Sequence, residues 1–165
     1  MNKIYVGIDN GVSGSITFLT DSTVNYYKTP VKNCMNYTKK IKWLNRIDTK
    51  RLRQIFLDYL FDQNLEVKPC LCLIERPMIN PARFQASMSA IRALEATLIV
   101  LEELDIPYMY IDAKEWQKMF LPKGIKGASK VKKATKEVIK RMYPFIKEND
   151  VDSVLIAEYG RRKNL

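Results

Sequence analysis

Hydrophobic and polar positions alternate at the start of this 165-residue chain. Ile4, Val6 and Ile8 fall on one side of an extended segment and Tyr5, Gly7 and Asp9 on the other, which predicts a strand over about residues 3–9. Gly11 and Gly14 mark a tight turn, and Ser15-Ile16-Thr17-Phe18-Leu19 reads as a second strand. A turn at Thr20-Asp21-Ser22 leads to a third, Val24-Asn25-Tyr26-Tyr27, giving an antiparallel meander. Residues 30–47 are basic and poorly periodic, and predict a loop with a short turn. The period then becomes helical. Leu52, Ile55, Phe56, Tyr59 and Leu60 form a stripe over about 49–64, with Asp48-Thr49 as its cap. Pro69 precedes an unbroken apolar run, Cys70 to Ile74, that ends in Glu75. Beyond Pro77 and Pro81, a helix over roughly 85–104 carries Ile91, Leu94, Leu98 and Leu101 on one face and alanines over much of the rest. Such a helix is buried on more than one side, here against the sheet and against a second subunit. Tyr108-Met109-Tyr110-Ile111 is a fifth strand, and Asp112 opens a short helix to Phe120. A basic helix follows over about 129–142, and the last helix covers about 149–160. The order is β-β-β-α-β-α-β-α-α-α, an α/β arrangement in one domain spanning 1–165.

Composition narrows the chemistry. The chain has no histidine, which excludes Ser-His and Cys-His nucleophile pairs and His-ligated zinc. Carboxylates and a metal are then the expected catalytic means. A net charge of +10 points to a polyanionic partner, and nucleic acid fits better than a membrane surface, because no aromatic insertion face alternates with the basic residues. No run approaches the roughly 18 uninterrupted apolar residues of a membrane span, and the N-terminus is too short and too quickly acidic for a secretory signal. A cytoplasmic protein is expected. Cys34, Cys70 and Cys72 include no CxxC pair and read as reduced core residues.

Three acids stand out by position. Asp9 and Glu75 each close an apolar strand, and Asp152 opens the C-terminal apolar segment Val154-Leu155-Ile156-Ala157. Carboxylates delivered by rigid strand ends and a helix start suit Mg²⁺, and paired ions can hold the attacking water and leaving oxygen of a phosphodiester. Considered singly, Asp9 also fits an ordinary turn residue and Glu75 a salt bridge with adjacent Arg76.

Taken together, Gly7-Ile8-Asp9-Asn10-Gly11, Ile74-Glu75-Arg76-Pro77 and Asn149-Asp150-Val151-Asp152-Ser153 resemble the RuvC-type Holliday junction resolvases of the RNase H-like superfamily. Lys123-Gly-Ile-Lys-Gly-Ala-Ser-Lys130 is similar to that family's Gly/Lys loop and basic helix, and the tail from Leu155 to Arg162 resembles the phage and virus branch. The resemblance implies a five-stranded mixed sheet, three strands antiparallel and two parallel, flanked by helices. It implies a homodimer through the helix around 85–104, and a host-cytoplasmic nuclease that resolves four-way DNA junctions with Mg²⁺, or with Mn²⁺ in its place. Asp9, Glu75, Asn149 and Asp152 would take the metal-ligand positions, with Lys130 nearest the scissile phosphate. Asn149 departs from the family, which has aspartate there in a D-x-x-D pair. Positions three apart share a helical face, whereas Asp150 points elsewhere. Glu148 is four before Asp152 and could approach the site. Two readings of Asn149 stand, a natural variant with some activity and a substitution made to stop cleavage.

For DNA contact the basic cluster Lys123, Lys126, Lys130, Lys132, Lys133 and Lys136 is the first candidate, since glycines admit phosphates and a helix start favours anions. Arg76, Met78, Arg83 and Phe84 lie where the resemblance implies the junction centre, with Met78 or Phe84 as a wedge between bases. Core packing is the other reading of Phe84. Lys39, Lys40, Lys42 and Arg46 surround Trp43, which either stacks on a base or anchors its loop. Arg161, Arg162 and Lys163 make a third cluster. Two rival functions remain. One is a branched-DNA-binding module without significant cleavage, favoured by Asn149. The other is an actin-like ATP-binding protein, which shares the strand-Asp-x-Gly opening but needs a second lobe.

Overall fold

The computed structural model describes residues 3–36, 40, 43–61, 66–147 and 151–165. Its centre is a five-stranded sheet. Strand β1 (Ile4–Asp9) pairs antiparallel with β2 (Ser15–Leu19), and β2 with β3 (Val24–Lys28). On the other side β1 pairs in parallel with β6 (Cys70–Glu75), and β6 with β7 (Tyr108–Ile111). The order β3-β2-β1-β6-β7 is the mixed sheet expected from the chain.

Side-chain alternation divides the core into two layers. Val6, Ile8, Ile16, Phe18, Cys72 and Ile74 face helices α1 (Thr49–Leu60) and α2 (Phe84–Glu103). Leu73 and Ile111 face α3 (Ala113–Phe120), α4 (Ala128–Met142) and α5 (Asp152–Lys163). Burial pushes the Cys72 thiol well above its ordinary value, so it behaves as an inert core residue.

Helix α5 lies directly on β1. A Cβ at Gly7 would sit 2.0 Å from the Ser153 carbonyl oxygen and 2.5 Å from the Ala157 nitrogen, so only glycine fits there. Farther along, Gly160 passes Leu73 and Tyr5 closely. That packing keeps it inside the helix, which runs on to Lys163 and ends at Asn164 in the left-handed conformation. Residue 160, the expected end of the helix, therefore does not end α5. Ser153, fully buried, shares hydrogen bonds with the Ser15 hydroxyl at 2.8 Å and the Thr17 hydroxyl at 2.7 Å. These bonds pin the first turn of α5 to β2.

The largest departure from expectation lies at 30–47. Instead of a loop, β4 (Val31–Met35) and β5 (Trp43–Ile47) form an antiparallel ribbon outside the main sheet. Ile47 is buried in the core and the Asp48 N–H donates to the Pro30 carbonyl at 2.9 Å, tying the ribbon at its root. Most of its side chains are exposed, so no hydrophobic period marks it in the sequence. The expected cap of α1 is present, with Asp48 Oδ1 accepting from the Arg51 N–H. That helix stops at Leu60 rather than 64, because Phe61 turns to extended backbone. Helix α2 is less enclosed than its composition suggested. Ser87, Ala93, Thr97, Val100 and Leu101 are buried, while Phe84, Ile91 and Ile99 are exposed. By length and composition alone, Pro81–Glu103 would also suffice to cross a membrane, but one of its faces is part of the core.

Substituting Gly7→Ala forces α5 away from β1. Chemical denaturation should show a loss of about 3 kcal/mol or failure to fold, as overpacking against backbone implies.

Candidate active site

Two strand ends and a helix start meet at one edge of the sheet. Parallel pairing aligns Ile8 with Ile74, so Asp9 and Glu75, each one residue on, end adjacent strands about 4.8 Å apart. Alternation sends both to the face covered by α5, Asp9 with Gly7 and Glu75 with Leu73. Because Ser153 overlies Gly7, α5 begins at this same edge, with Asp152 in its first turn.

The electrostatics confirm the proximity of two of these groups. Burial pushes the Glu75 carboxyl above its ordinary value, the Trp116 hydrogen bond opposes that shift, and the Asp152 charge adds to it. The Trp116 indole N–H donates to Glu75 Oε2 at 2.6 Å and fixes which way the carboxylate points. Trp116 is buried in α3. Sequence reasoning missed it, as it missed Ser153, because no local pattern ties either residue to its partner. The salt bridge between Glu75 and Arg76, one reading from sequence, does not form. Arg76 instead donates to Asp112 Oδ1 at 3.1 Å and lies over the Tyr110 ring. Both partners are exposed, so the pair contributes little to stability.

Among the described residues, no three Asp, Glu or Cys side chains are grouped closely enough to hold a metal ion. Carboxylates are the donor type a hard divalent cation takes, and three elements bring one each to this edge of the sheet. Asp9 and Asp152 also engage neighbouring groups. Asn149 lies outside the described residues, as do Glu148 and Asp150. Helix α5 starts at Asp152 with Val151 as its cap. The shared helical face expected for 149 and 152 involves a residue outside the described ones.

A cleft beside Val151 and Asp152 is lined by Lys132, Lys133, Lys136 and Lys140 of α4 and by Lys147. At about 100° per residue the α4 lysines span an arc of about 100°, and Lys130 falls about 60° beyond it. Lys130 is exposed in the first turn of α4 and is not among the residues lining that cleft. Lys123 lines a different groove with Lys114 and Lys118, and Lys126 is exposed. Between β6 and α2, Met78 is 82% exposed and Phe84 62%, with Arg83 exposed between them in sequence. Core packing is thus removed as a reading of Phe84. Exposed Ile79 belongs to the same apolar group and went unremarked in the sequence.

Trp43 does not anchor a loop. It is 57% exposed on β5, directly opposite Met35 at 75%. Lys40 and Arg46 are exposed nearby in sequence, whereas Lys39 and Lys42 lie outside the described residues. The tail cluster is largely consumed internally. Arg161 and Arg162 both donate to buried Glu158, at 2.7–3.0 Å, and Tyr143 adds a third donor. Burial works to raise the Glu158 pKa, but these hydrogen bonds prevail and hold it below the ordinary carboxylate value.

The chain is similar to Thermus thermophilus RuvC solved in complex with a Holliday junction substrate, at 14% identity and a TM-score of 0.57. That match covers 98% of this chain and 94% of the other. A second structure of Thermus thermophilus RuvC matches at 12% identity and a TM-score of 0.56, covering 98% and 96%. The chain has the RNase H-like fold of RuvC. No protein-family model matches it, and no curated protein matches it by sequence. At such identities the RuvC likeness carries the architecture and leaves the chemistry to the residues themselves.

Burial disfavours the charged form of Glu75, so its folded pKa lies above its unfolded value. The folded state then holds the extra proton between those two values, and stability falls as pH rises through that window. In metal-free buffer, Glu75→Gln should melt higher than the parent at neutral pH. The difference should vanish as pH falls below the ordinary carboxylate range, read by melts from pH 4 to 8.

Proposed function

We propose that the chain is a homodimeric, divalent-metal-dependent endonuclease that resolves four-way DNA junctions. The observation that carries this reading is the placement of Asp9, Glu75 and Asp152 at one sheet edge, beside a cleft lined by lysines. The RuvC-like fold and the net charge of +10 support it. Asp9, Glu75 and Asp152 would hold the metal, with Asn149 contributing at most a neutral oxygen. When bound, the metal would supply Lewis-acid polarisation of the phosphoryl oxygen and a more acidic water.

The chain's own residues do the positioning. Trp116 keeps Glu75 oriented, and the Ser153 hydroxyl network holds Asp152 in place. Lys132, Lys133 and Lys136 attract phosphate to the cleft and offset charge that develops there. Lys130 retains the role that the resemblance implies, as do Lys123 in the groove leading to α4 and exposed Lys126 beside it in sequence. Arg76, Met78, Arg83 and Phe84 face the junction centre, where an exposed apolar side chain can enter between bases. Exposed Ile91 and Ile99 on α2 are the proposed dimer contact, and two-fold symmetry then gives two sites for two strands.

A second reading, a branched-DNA-binding module, draws on Asn149, which lowers the negative charge available to a metal. A labelled four-way junction incubated with Mg²⁺ or Mn²⁺ separates the two. The junction should be bound in preference to duplex and cut, and Asn149→Asp should cut faster. Glu75→Gln should lower cleavage by about 10²–10³-fold while leaving junction binding intact, as loss of several kcal/mol of charge stabilisation implies. Binding without cleavage by both the parent and Asn149→Asp would leave the binding module. Ile91→Glu with Ile99→Glu should convert the dimer to monomer in analytical ultracentrifugation and abolish the junction preference. A parent chain that is already monomeric at micromolar concentration overturns the dimer.

A further inference from the structure

The ribbon formed by β4 and β5 builds a second cationic cleft, away from the lysines of α4. Lys32 comes from β4, Arg46 from β5 and Arg92 from α2, and all three line one cleft together with Ser89 and Thr49. No Asp or Glu is among its lining residues. Arg92 Nε donates to the Met88 carbonyl at 3.2 Å. Among the described residues, neither Lys32, Arg46 nor Arg92 forms a salt bridge. The acid next in sequence, Asp48, does not line the cleft, and its Oδ1 accepts from the Arg51 N–H. Cations brought together from three elements repel one another, and an anion between them relieves that repulsion.

Size and place identify the anion. The cleft holds about 110 Å³, below the roughly 300 Å³ at which pockets take nucleotide-sized ligands, yet ample for one phosphate group with its hydroxyl and guanidinium partners. Val12, in the turn that follows Asp9, is also among the lining residues, so the cleft adjoins the turn at the carboxylate edge.

We propose that this cleft binds a backbone phosphate of the bound DNA, so that the ribbon and α2 grip a strand outside the carboxylate site. The proposal rests on the nucleic-acid reading above, and the ribbon residues take no part in the chemistry. Arginine guanidinium suits phosphate in a two-pronged contact, and the seryl and threonyl hydroxyls complete the set.

The test compares Arg46→Gln with Arg92→Gln in one chain against Arg53→Gln with Arg141→Gln, which removes equal charge from other exposed positions. Fluorescence anisotropy of a labelled junction and a labelled duplex is measured across salt concentrations. The cleft variant should bind roughly tenfold more weakly, with a salt dependence shallower by roughly one unit for each phosphate it no longer holds, and the control should change far less. Arg46→Lys with Arg92→Lys should restore most of the salt slope, and unchanged melting shows that the fold is intact. Equal changes in cleft variant and control would reduce these residues to bulk charge and overturn the proposal. Unchanged DNA binding with loss of inorganic phosphate binding by calorimetry would make the cleft a site for the free anion and overturn it as well. A shift in sedimentation, with DNA affinity per dimer unchanged, would assign the cleft to the subunit contact instead. If the parent shows no preference for the junction over duplex, the junction reading falls, while the cleft is still judged on the duplex salt slope.

Discussion

Helix α5 lies on strand β1 with no side chain between them at Gly7, and the candidate site is built around that contact. A methyl group there would meet backbone, which cannot step aside as a side chain can. The close approach brings Ser153 within reach of the Ser15 and Thr17 hydroxyls and sets Asp152 at the ends of β1 and β6. The alignment of Asp9 with Glu75 follows from parallel pairing of those strands, and Asp152 joins them only because α5 docks in one place. Leaving the buried Ser15 and Thr17 hydroxyls without Ser153 would cost about 1–3 kcal/mol, so the polar layer under the site also resists displacement of the helix.

Charge is organised by the same packing. Glu75 is half-buried, feels the Asp152 charge and is steadied by a neutral donor, Trp116, rather than by a cation. A neutral donor orients the carboxylate while leaving its negative charge available to a metal. Elsewhere the basic residues divide by partner. Arg161 and Arg162 are absorbed by Glu158, and Arg76 by Asp112. The lysines of α4 gather beside Asp152, and Lys32, Arg46 and Arg92 gather in the ribbon cleft. Counting basic residues along the chain does not separate these groups, because a guanidinium held against a carboxylate and one facing a cleft look alike in sequence.

What is legible in the sequence is local. Strands β1, β2, β3, β6 and β7 follow from a period of two or an unbroken apolar run, α1 from its cap and stripe, α2 from its apolar face, α3 from Asp112 at its start and α4 from a basic run. Asp9 and Glu75 stand out because an acid that closes an apolar run must sit at the rim of a core. The ribbon does not stand out, since strands exposed on both faces carry no hydrophobic alternation. Helix α5 runs to Lys163, about three residues beyond the expected end at 160, with Gly160 packed on Leu73 and Tyr5 inside it.

The sequence by itself therefore determined the order of elements, the strand-end acids, the absence of histidine and the basic balance. These depend on neighbours along the chain or on composition. Only the tertiary structure decided that Trp116 holds Glu75, that Ser153 joins β2, that Lys132 and Lys133 rather than Lys130 line the cleft at Asp152, and that Met78, Ile79 and Phe84 stay exposed. Each of these depends on whether segments far apart in sequence touch. Such pairings are set by how the sheet and helices pack, and no local period records them.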